Sequence, residues 1–281
     1  MKRREKPIVA LMYDFDRTLA ITDMQNFKFI PSLGFTPAEF WAETEKFCKG
    51  NDMDKILGYM YTMIVMAKKK GISLTREYLQ SCGKEMKFFD GVLTWFDRIN
   101  KYGEEKGIII EHYLITSGNT EILEGSSIIK EFKKVFGCEF LYDDKTKEAY
   151  WPKTIVNYTL KTQYIFRINK GVIDTNDDKE INEKSLKKRI PYTNMIYIGD
   201  GFTDVPSMIV VKENGGNSIA VHDKGHQELV SHLYEDNRVN YICEADYRSG
   251  KQIDKIVKLI IDSIVIRESL QNKQEEIEKV L

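Results

Sequence analysis

The chain opens on a solid apolar block. Residues 7–13, PIVALMY, are bounded by Pro7 on one side and by the acidic stretch DFD on the other. An uninterrupted apolar run of this length, with β-branched residues at its start, is the pattern of a strand buried on both faces of a parallel sheet. Runs of the same kind recur at 108–116 (IIIEHYLIT), 194–200 (NMIYIGD), 217–221 (NSIAV) and 239–243 (VNYIC). Between them the spacing turns helical: 91–107 and 120–136 place apolar residues three and four apart. Strands alternating with helices predict βαβ units, hence a parallel sheet with helices on both faces. Residues 138–151 read differently, as two short strands flanking DDKTK in a hairpin or a sheet extension.

No strand pattern appears between the first run and the helix at 91. Thr36, Pro37 and Glu39 instead form a helix start, with a capping hydroxyl, a proline at the first helical position and an acid at the third. Further helices are expected over 52–71, closed by lysines and Gly71, and over 75–89. Residues 21–88 therefore form a small helical unit inserted after the first strand, and 1–20 with 89–281 form the sheet core. Met53, Met60, Met63 and Met66 recur at helical spacing, and with Phe40 and Trp41 they read first as the buried faces of these helices, and only second as pocket lining. The C-terminal 30 residues, from Gln252, predict a long amphipathic helix with a charged end.

Charge and composition narrow the function classes. Forty-two Lys and Arg residues balance 43 Asp and Glu, and a net charge of −1 gives no reason to expect a nucleic-acid or anionic-membrane partner. No apolar run approaches the roughly 20 residues of a membrane span. Cys48, Cys82, Cys138 and Cys243 are far apart, which predicts reduced thiols in a cytoplasmic protein and no zinc site. The basic start MKRREK followed by an apolar stretch resembles a signal peptide, but that stretch ends in acids with no small-residue cleavage site, so a leader is not expected.

The chemistry gathers where three predicted strands end. In open α/β sheets, ligands bind at the carboxyl ends of the strands. The first strand ends in Asp14-Phe15-Asp16-Arg17-Thr18, the second in Thr116-Ser117-Gly118-Asn119, and a later one in Gly199-Asp200-Gly201-Phe202-Thr203-Asp204. Four carboxylates in one crevice repel each other unless a cation relieves them, and hard oxygen ligands suit Mg²⁺.

D-x-D-x-T at the end of the first strand, LITSGN after the second and YIGDGFTDVPSM later resemble the haloacid dehalogenase superfamily. The likeness is to its phosphoserine-phosphatase-like branch, which carries a helical cap after the first motif, and it spans about residues 8–222. The resemblance implies a Rossmann-like parallel core with a small α-helical cap, and Mg²⁺-dependent hydrolysis of a small phosphorylated metabolite. It makes Asp14 the nucleophile that forms an aspartyl-phosphate, and Asp16 the general acid and then base, its pKa raised by Asp14. It assigns Mg²⁺ to Asp14, the Asp16 backbone carbonyl and Asp200, with Asp204 supporting the metal shell. Phosphoryl oxygens fall to Ser117 and the Gly118 amide, and a lysine is required: Lys170 is preferred because glycine and a helical pattern (KEINEKSLKKR) follow it, with Lys161 as runner-up.

Other readings bear on particular residues. Thr18 is expected to stabilise the turn. Arg17, where relatives often carry a small residue, is expected to face solvent. Ser117 has an alternative role as a helix cap. His222 and His226 are four apart, but the glycine in VHDKGHQ predicts a loop and helix start rather than a metal site. Three rival functions remain: a phosphotransferase or phosphomutase on the same scaffold, a glycosyltransferase using its paired aspartates, and a non-catalytic binding protein that retains the fold.

Overall fold

The computed structural model describes residues 6–184 and 188–279. Strand β1 (Ile8–Tyr13) is followed by helices α1 (Phe29–Ser32), α2 (Pro37–Gly50), α3 (Lys55–Lys69) and α4 (Arg76–Gly83). Helix α5 (Val92–Glu105), β2 (Ile109–Asn119), α6 (Thr120–Glu124), β3 (Lys134–Tyr142) and β4 (Ala149–Thr154) come next. Then follow α7 (Tyr158–Lys170), α8 (Asp178–Asn182), β5 (Met195–Gly199), α9 (Val205–Glu213), β6 (Asn217–His222), α10 (Glu228–Glu235), β7 (Tyr241–Glu244) and α11 (Gln252–Glu278). The seven strands run in the order β4-β3-β2-β1-β5-β6-β7. All pairings are parallel except that of β4 with β3.

The apolar runs become the strands. Val9 through Tyr13 are fully buried, because β1 lies at the middle of the sheet with β2 and β5 on either side. Helices α5 and α11 pack together, as do α7 and α9, so that helices cover both faces. The insertion after β1 is helical. Its α2 starts on the Thr36–Glu39 capping box with Pro37 in the first turn, and α3 starts on Asp54, whose carboxylate accepts from the amides of Ile56 and Leu57. No helix among the described residues is long and apolar enough to cross a membrane.

The helix expected over 120–136 is instead a short helix followed by a strand. Helix α6 ends at Gly125, and β3 already begins at Lys134. Close packing against α4 forces the stop. A Cβ on Gly125 would lie 1.8 Å from Gln80 O, and one on Gly83 would lie 1.9 Å from Ile122 O. Residues 138–151 do form the predicted hairpin, and β3 makes it part of the main sheet. Its turn is held by Asp143, whose Oδ1 accepts from the amides of Lys145 (2.9 Å) and Thr146 (2.8 Å). The helical pattern after Lys170 forms only α8; residues 185–187 of that pattern lie outside the described residues. Helix α4 stops at Gly83, short of the expected residue 89.

A buried polar chain joins the sheet to α5. Trp95 Nε1 donates to the Tyr13 hydroxyl (2.9 Å), which pairs with His112 Nδ1 (2.9 Å), while His112 Nε2 meets Asn100 Oδ1 (3.0 Å). Burial lowers the His112 pKa from 6.5 to about 3. The unfolded chain takes up this proton near pH 6.5 and the folded chain does not, so the contribution is absent above pH 6.5 and opposes folding increasingly below it. Urea unfolding at successive pH values should show stability falling by up to about 1.4 kcal/mol per pH unit below this point. His112→Gln should flatten that slope between pH 6 and 5.

Candidate active site

The central position of β1 brings three strand ends together. Asp14 directly follows β1, and its amide donates to Ile198 O of β5 at 2.9 Å. Asp200 directly follows β5, and Asp204 caps the start of α9. Carboxylate oxygens of Asp14, Asp200 and Asp204 all lie within 4.8 Å of one another. Gly199 is what lets Asp204 fold back: a Cβ there would lie 2.7 Å from the Asp204 carboxylate.

The cation among these acids is Lys161. Its Nζ donates to Asp14 Oδ1 at 2.9 Å, to Asp204 Oδ1 at 2.8 Å and to Thr203 Oγ1 at 3.4 Å. The Lys161 side chain is 1% exposed and that of Asp204 0%. Asp204 Oδ1 also accepts from the Tyr197 hydroxyl at 2.7 Å, and its Oδ2 accepts from the Gly201 amide at 3.4 Å. Burial pushes the Lys161 ammonium towards losing its proton, but Asp14 and Asp204 more than reverse this and raise its pKa.

Lys170, the lysine preferred on sequence grounds, lies elsewhere. Its Nζ donates to Ile181 O (2.5 Å) and Glu183 O (3.2 Å). It follows Lys161 by nine residues on α7, about two and a half helical turns, and so faces the opposite way. A signal for the lysine that the structure places among the acids is present in the sequence. Lys161, Tyr164, Ile165 and Ile168 fall at i, i+3, i+4 and i+7, which puts the lysine on the buried stripe of a helix. A lysine there needs a carboxylate partner.

One lysine does not balance this many acids. Burial first, then Asp204, raises Asp14 to about 6 against the pull of Lys161. Burial first, then Asp14 and Asp204, raises Asp200 well above the carboxylate range. Burial, with Asp23 and then Asp14, does the same to Asp16, although its Oδ1 accepts from the Met24 amide at 2.8 Å. These are the marks of a cluster that lacks positive charge, and its hard oxygen donors fit a divalent cation such as Mg²⁺.

Of the other predicted residues, Ser117 and Arg17 line the same crevice. Ser117 Oγ donates to Val156 O (2.7 Å), and the Gly118 amide donates to Thr116 Oγ1 (3.0 Å). Met24 lies against Gly118, where a Cβ would meet its Cε at 2.0 Å. Thr18 is fully buried in the turn, and its carbonyl accepts from the Tyr247 hydroxyl at 2.8 Å. Arg17 is 55% exposed, as expected for a solvent-facing residue, with Nε 3.8 Å from Asp23 Oδ1. Its φ of 56° is left-handed, which costs a side-chain-bearing residue about 1–2 kcal/mol. His222 Nδ1 pairs with Asp223 O and His226 lies in the following loop; neither belongs to a metal-ligating cluster among the described residues. Tyr197 and Tyr59 were missed from sequence. Tyr59, on α3, donates to Ser117 O at 2.6 Å and so ties the helical insertion to the sheet.

Two cavities meet above the cluster. One, of about 360 Å³, includes Asp14, Asp16, Thr116, Lys161 and Asp200 in its lining. The other, of about 410 Å³, extends from Asp16 and Ser117 towards α2 and α3. Asp16, Asp23 and Ser117 border both.

No family model matches the chain. It is 32% identical to an uncharacterized protein of Borreliella burgdorferi, over 90% of this chain and 96% of the relative. The chain belongs to the same family as that protein. Among solved structures it is similar to a haloacid dehalogenase family hydrolase of Salmonella enterica serovar Typhi, with a TM-score of 0.59 and 16% identity over 92% of this chain and 73% of the other. It is also similar to a substrate-bound phosphoserine phosphatase, with a TM-score of 0.57 and 12% identity over 92% and 99%. A phospho-aspartyl intermediate analogue of phosphoserine phosphatase aligns with a TM-score of 0.52 and 14% identity over 90% and 99%. The fold is thus that of the haloacid dehalogenase superfamily, a sheet core with a helical insertion after the first strand.

Lys161→Met should destabilise the metal-free protein by about 3 kcal/mol, because it leaves buried Asp14 and Asp204 unpaired. Lys170→Met should cost about 1 kcal/mol or less, the scale of the hydrogen bonds it loses. Denaturant unfolding of the two variants checks the assignment. Thermal unfolding should also show MgCl₂ raising the Tm of the wild type, and Asp200→Asn should shrink that rise.

Proposed function

We propose that the protein is a Mg²⁺-dependent phosphomonoester hydrolase that works through an aspartyl-phosphate on Asp14. The observation that carries this reading is the buried Lys161 held between Asp14 and Asp204 at the floor of a cavity that Asp16 borders. Structures of similar fold include a substrate-bound phosphoserine phosphatase and a phospho-aspartyl intermediate analogue, which supports the same chemistry here.

Lys161 occupies Asp14 Oδ1 and so fixes the plane of the carboxylate. An Asp14 oxygen attacks phosphorus, and the bond from phosphorus to the ester oxygen breaks. The raised pKa of Asp16 lets it hold the proton that passes to the departing alcohol. Water then attacks the phosphoryl group and gives its proton to Asp16, and the bond from phosphorus to Asp14 breaks to release phosphate. Ser117, turning from Val156 O, and the Gly118 amide, released from Thr116 Oγ1, contribute hydrogen bonds to phosphoryl oxygens. Asp14, the Asp16 carbonyl and Asp200 hold Mg²⁺, with Asp204 in support, and the ion supplies positive charge to offset the phosphoryl oxygens and the clustered carboxylates. Residues 21–88 act as the cap that excludes water during transfer, over a core of 1–20 and 89–281. Four buried free cysteines agree with a cytoplasmic setting.

Asp14→Asn should abolish Mg²⁺-dependent release of phosphate from p-nitrophenyl phosphate while leaving the circular dichroism spectrum unchanged. Wild-type protein quenched during turnover should carry one phosphoryl group on the peptide containing Asp14. Near-wild-type turnover by the variant would sink the mechanism. Transfer to added alcohols in preference to water would instead indicate a phosphotransferase.

A further inference from the structure

We propose that the larger cavity selects a phosphomonoester whose alcohol carries an ammonium group and needs no carboxylate: an amino-alcohol phosphate. This rests on the hydrolase reading and assigns the leaving group.

The argument comes from which hydrogen-bonding groups of the cavity are already used. The indole N–H of Trp41 is donated to Asn26 Oδ1 at 3.0 Å, and the Tyr59 hydroxyl is donated to Ser117 O at 2.6 Å. Those two donors are spent on the protein, so what the rings offer the ligand is apolar surface, whose π faces attract cations. The Gln25 amide N–H₂ is likewise given to Asn119 Oδ1 at 3.0 Å.

Two buried oxygens remain. Gln25 is 2% exposed and Thr44 4%, and Gln25 Oε1, an acceptor, and Thr44 Oγ1, a hydroxyl that can accept as well as donate, have no hydrogen-bond partner. Buried oxygens without partners are costly until a ligand donor meets them. Asp23 lies where the two cavities meet, beside the phosphoryl site, and its nearest cation is the half-exposed Arg17, 3.8 Å away. Glu45 adds a second carboxylate at the rim, paired on its outer side with Lys49 at 2.9 Å. Lys55 is the one basic side chain in the lining, and it is exposed, with its charge felt by Glu45. A leaving group with a carboxylate has no buried cation to meet. An ammonium one short alkyl chain from the phosphate meets Asp23, Gln25 Oε1 and aromatic rings.

The test compares ethanolamine phosphate, O-phosphoserine and glycerol 1-phosphate under Mg²⁺. Ethanolamine phosphate should exceed glycerol 1-phosphate in kcat/KM by about tenfold or more, the scale of one charge-assisted contact. O-phosphoserine should do no better than ethanolamine phosphate. Asp23→Asn should collapse the ethanolamine-to-glycerol ratio towards one, and Glu45→Gln should lower it less. Binding provides a readout free of turnover: calorimetry on the Asp14→Asn protein should find ethanolamine phosphate tighter than glycerol 1-phosphate by a similar factor. Equal binding of the two, a preference for the neutral or carboxylate-bearing ester, or an Asp23→Asn variant that keeps the ratio would overturn the proposal. If p-nitrophenyl phosphate is hydrolysed while the ratio is flat, the hydrolase reading stands and only the leaving-group assignment falls. If no ester is hydrolysed but the binding preference holds, the hydrolase reading falls and the recognition stands.

Discussion

The structure turns on one ammonium group held in a dry place. Lys161 reaches Asp14 and Asp204 with side-chain exposures of 1% for Lys161, 8% for Asp14 and 0% for Asp204. A lone buried lysine loses its proton and a lone buried carboxylate gains one; here the acids hold the proton on Lys161, and Lys161 pulls the Asp14 pKa down. Several separate features are needed for this. Helix α7 must present Lys161 on its apolar stripe, Gly199 must lack a side chain so that Asp204 can fold back, and Tyr197 must satisfy the same oxygen that Lys161 holds. The order β2-β1-β5 then brings the third strand end, with Ser117, to the same edge.

The turn after β1 is under strain, and its neighbours hold it. Arg17 adopts a left-handed backbone that glycine would take at less cost. Around it the turn is fastened by Thr18 and Ala20, whose amides donate to Phe15 O, and by the Tyr247 hydroxyl on Thr18 O. The Met24 amide on Asp16 Oδ1 adds a further tie from the helical insertion. Strain of this sort persists where surrounding contacts over-determine it, and here it keeps the Asp16 carboxylate beside Asp14. The Arg17 side chain lies near Asp23, so the strained residue also borders the cavity over the carboxylate cluster.

Much of this was legible in the sequence, for physical reasons. Buried parallel strands are apolar along most of their length, so β1 and β5 could be read directly, and the apolar stretches of β2, β6 and the edge strand β7 marked those strands as well. Polar clusters at their ends marked Asp14, Asp16, Ser117, Asp200 and Asp204, which the fold does gather at one edge. Failures arose where tertiary contact decides. The 120–136 pattern carried apolar residues for both a short helix and the start of β3, and the contact of Gly125 with Gln80 that divides them is non-local. Lys170 was favoured because glycine follows it, yet that glycine is the left-handed C-cap of α7, with Lys161 two and a half turns earlier on the other face. The Tyr197 hydroxyl sits inside an apolar run, and nothing local says that it reaches Asp204.

The floor and roof of the site pose opposite electrostatic demands. The floor is an acid cluster only partly offset by Lys161, and in the proposed hydrolysis it would receive a phosphoryl group that is itself anionic, so it would depend on added positive charge. In the proposed recognition the roof, with the Trp41 and Tyr59 donors committed within the protein and Gln25 Oε1 left over, would also call for positive charge, from the other end of the substrate. Asp23 belongs to both regions: its charge helps to keep a proton on Asp16 and faces the space where the leaving group sits. A cationic leaving group near Asp23 would weaken that repulsion and lower the Asp16 pKa. It would thereby ease transfer of the Asp16 proton to the departing oxygen while the substrate is bound. In the proposed reaction, recognition of the alcohol and protonation of its oxygen would therefore be coupled through one carboxylate, which would link the helical insertion to the chemistry at the strand ends.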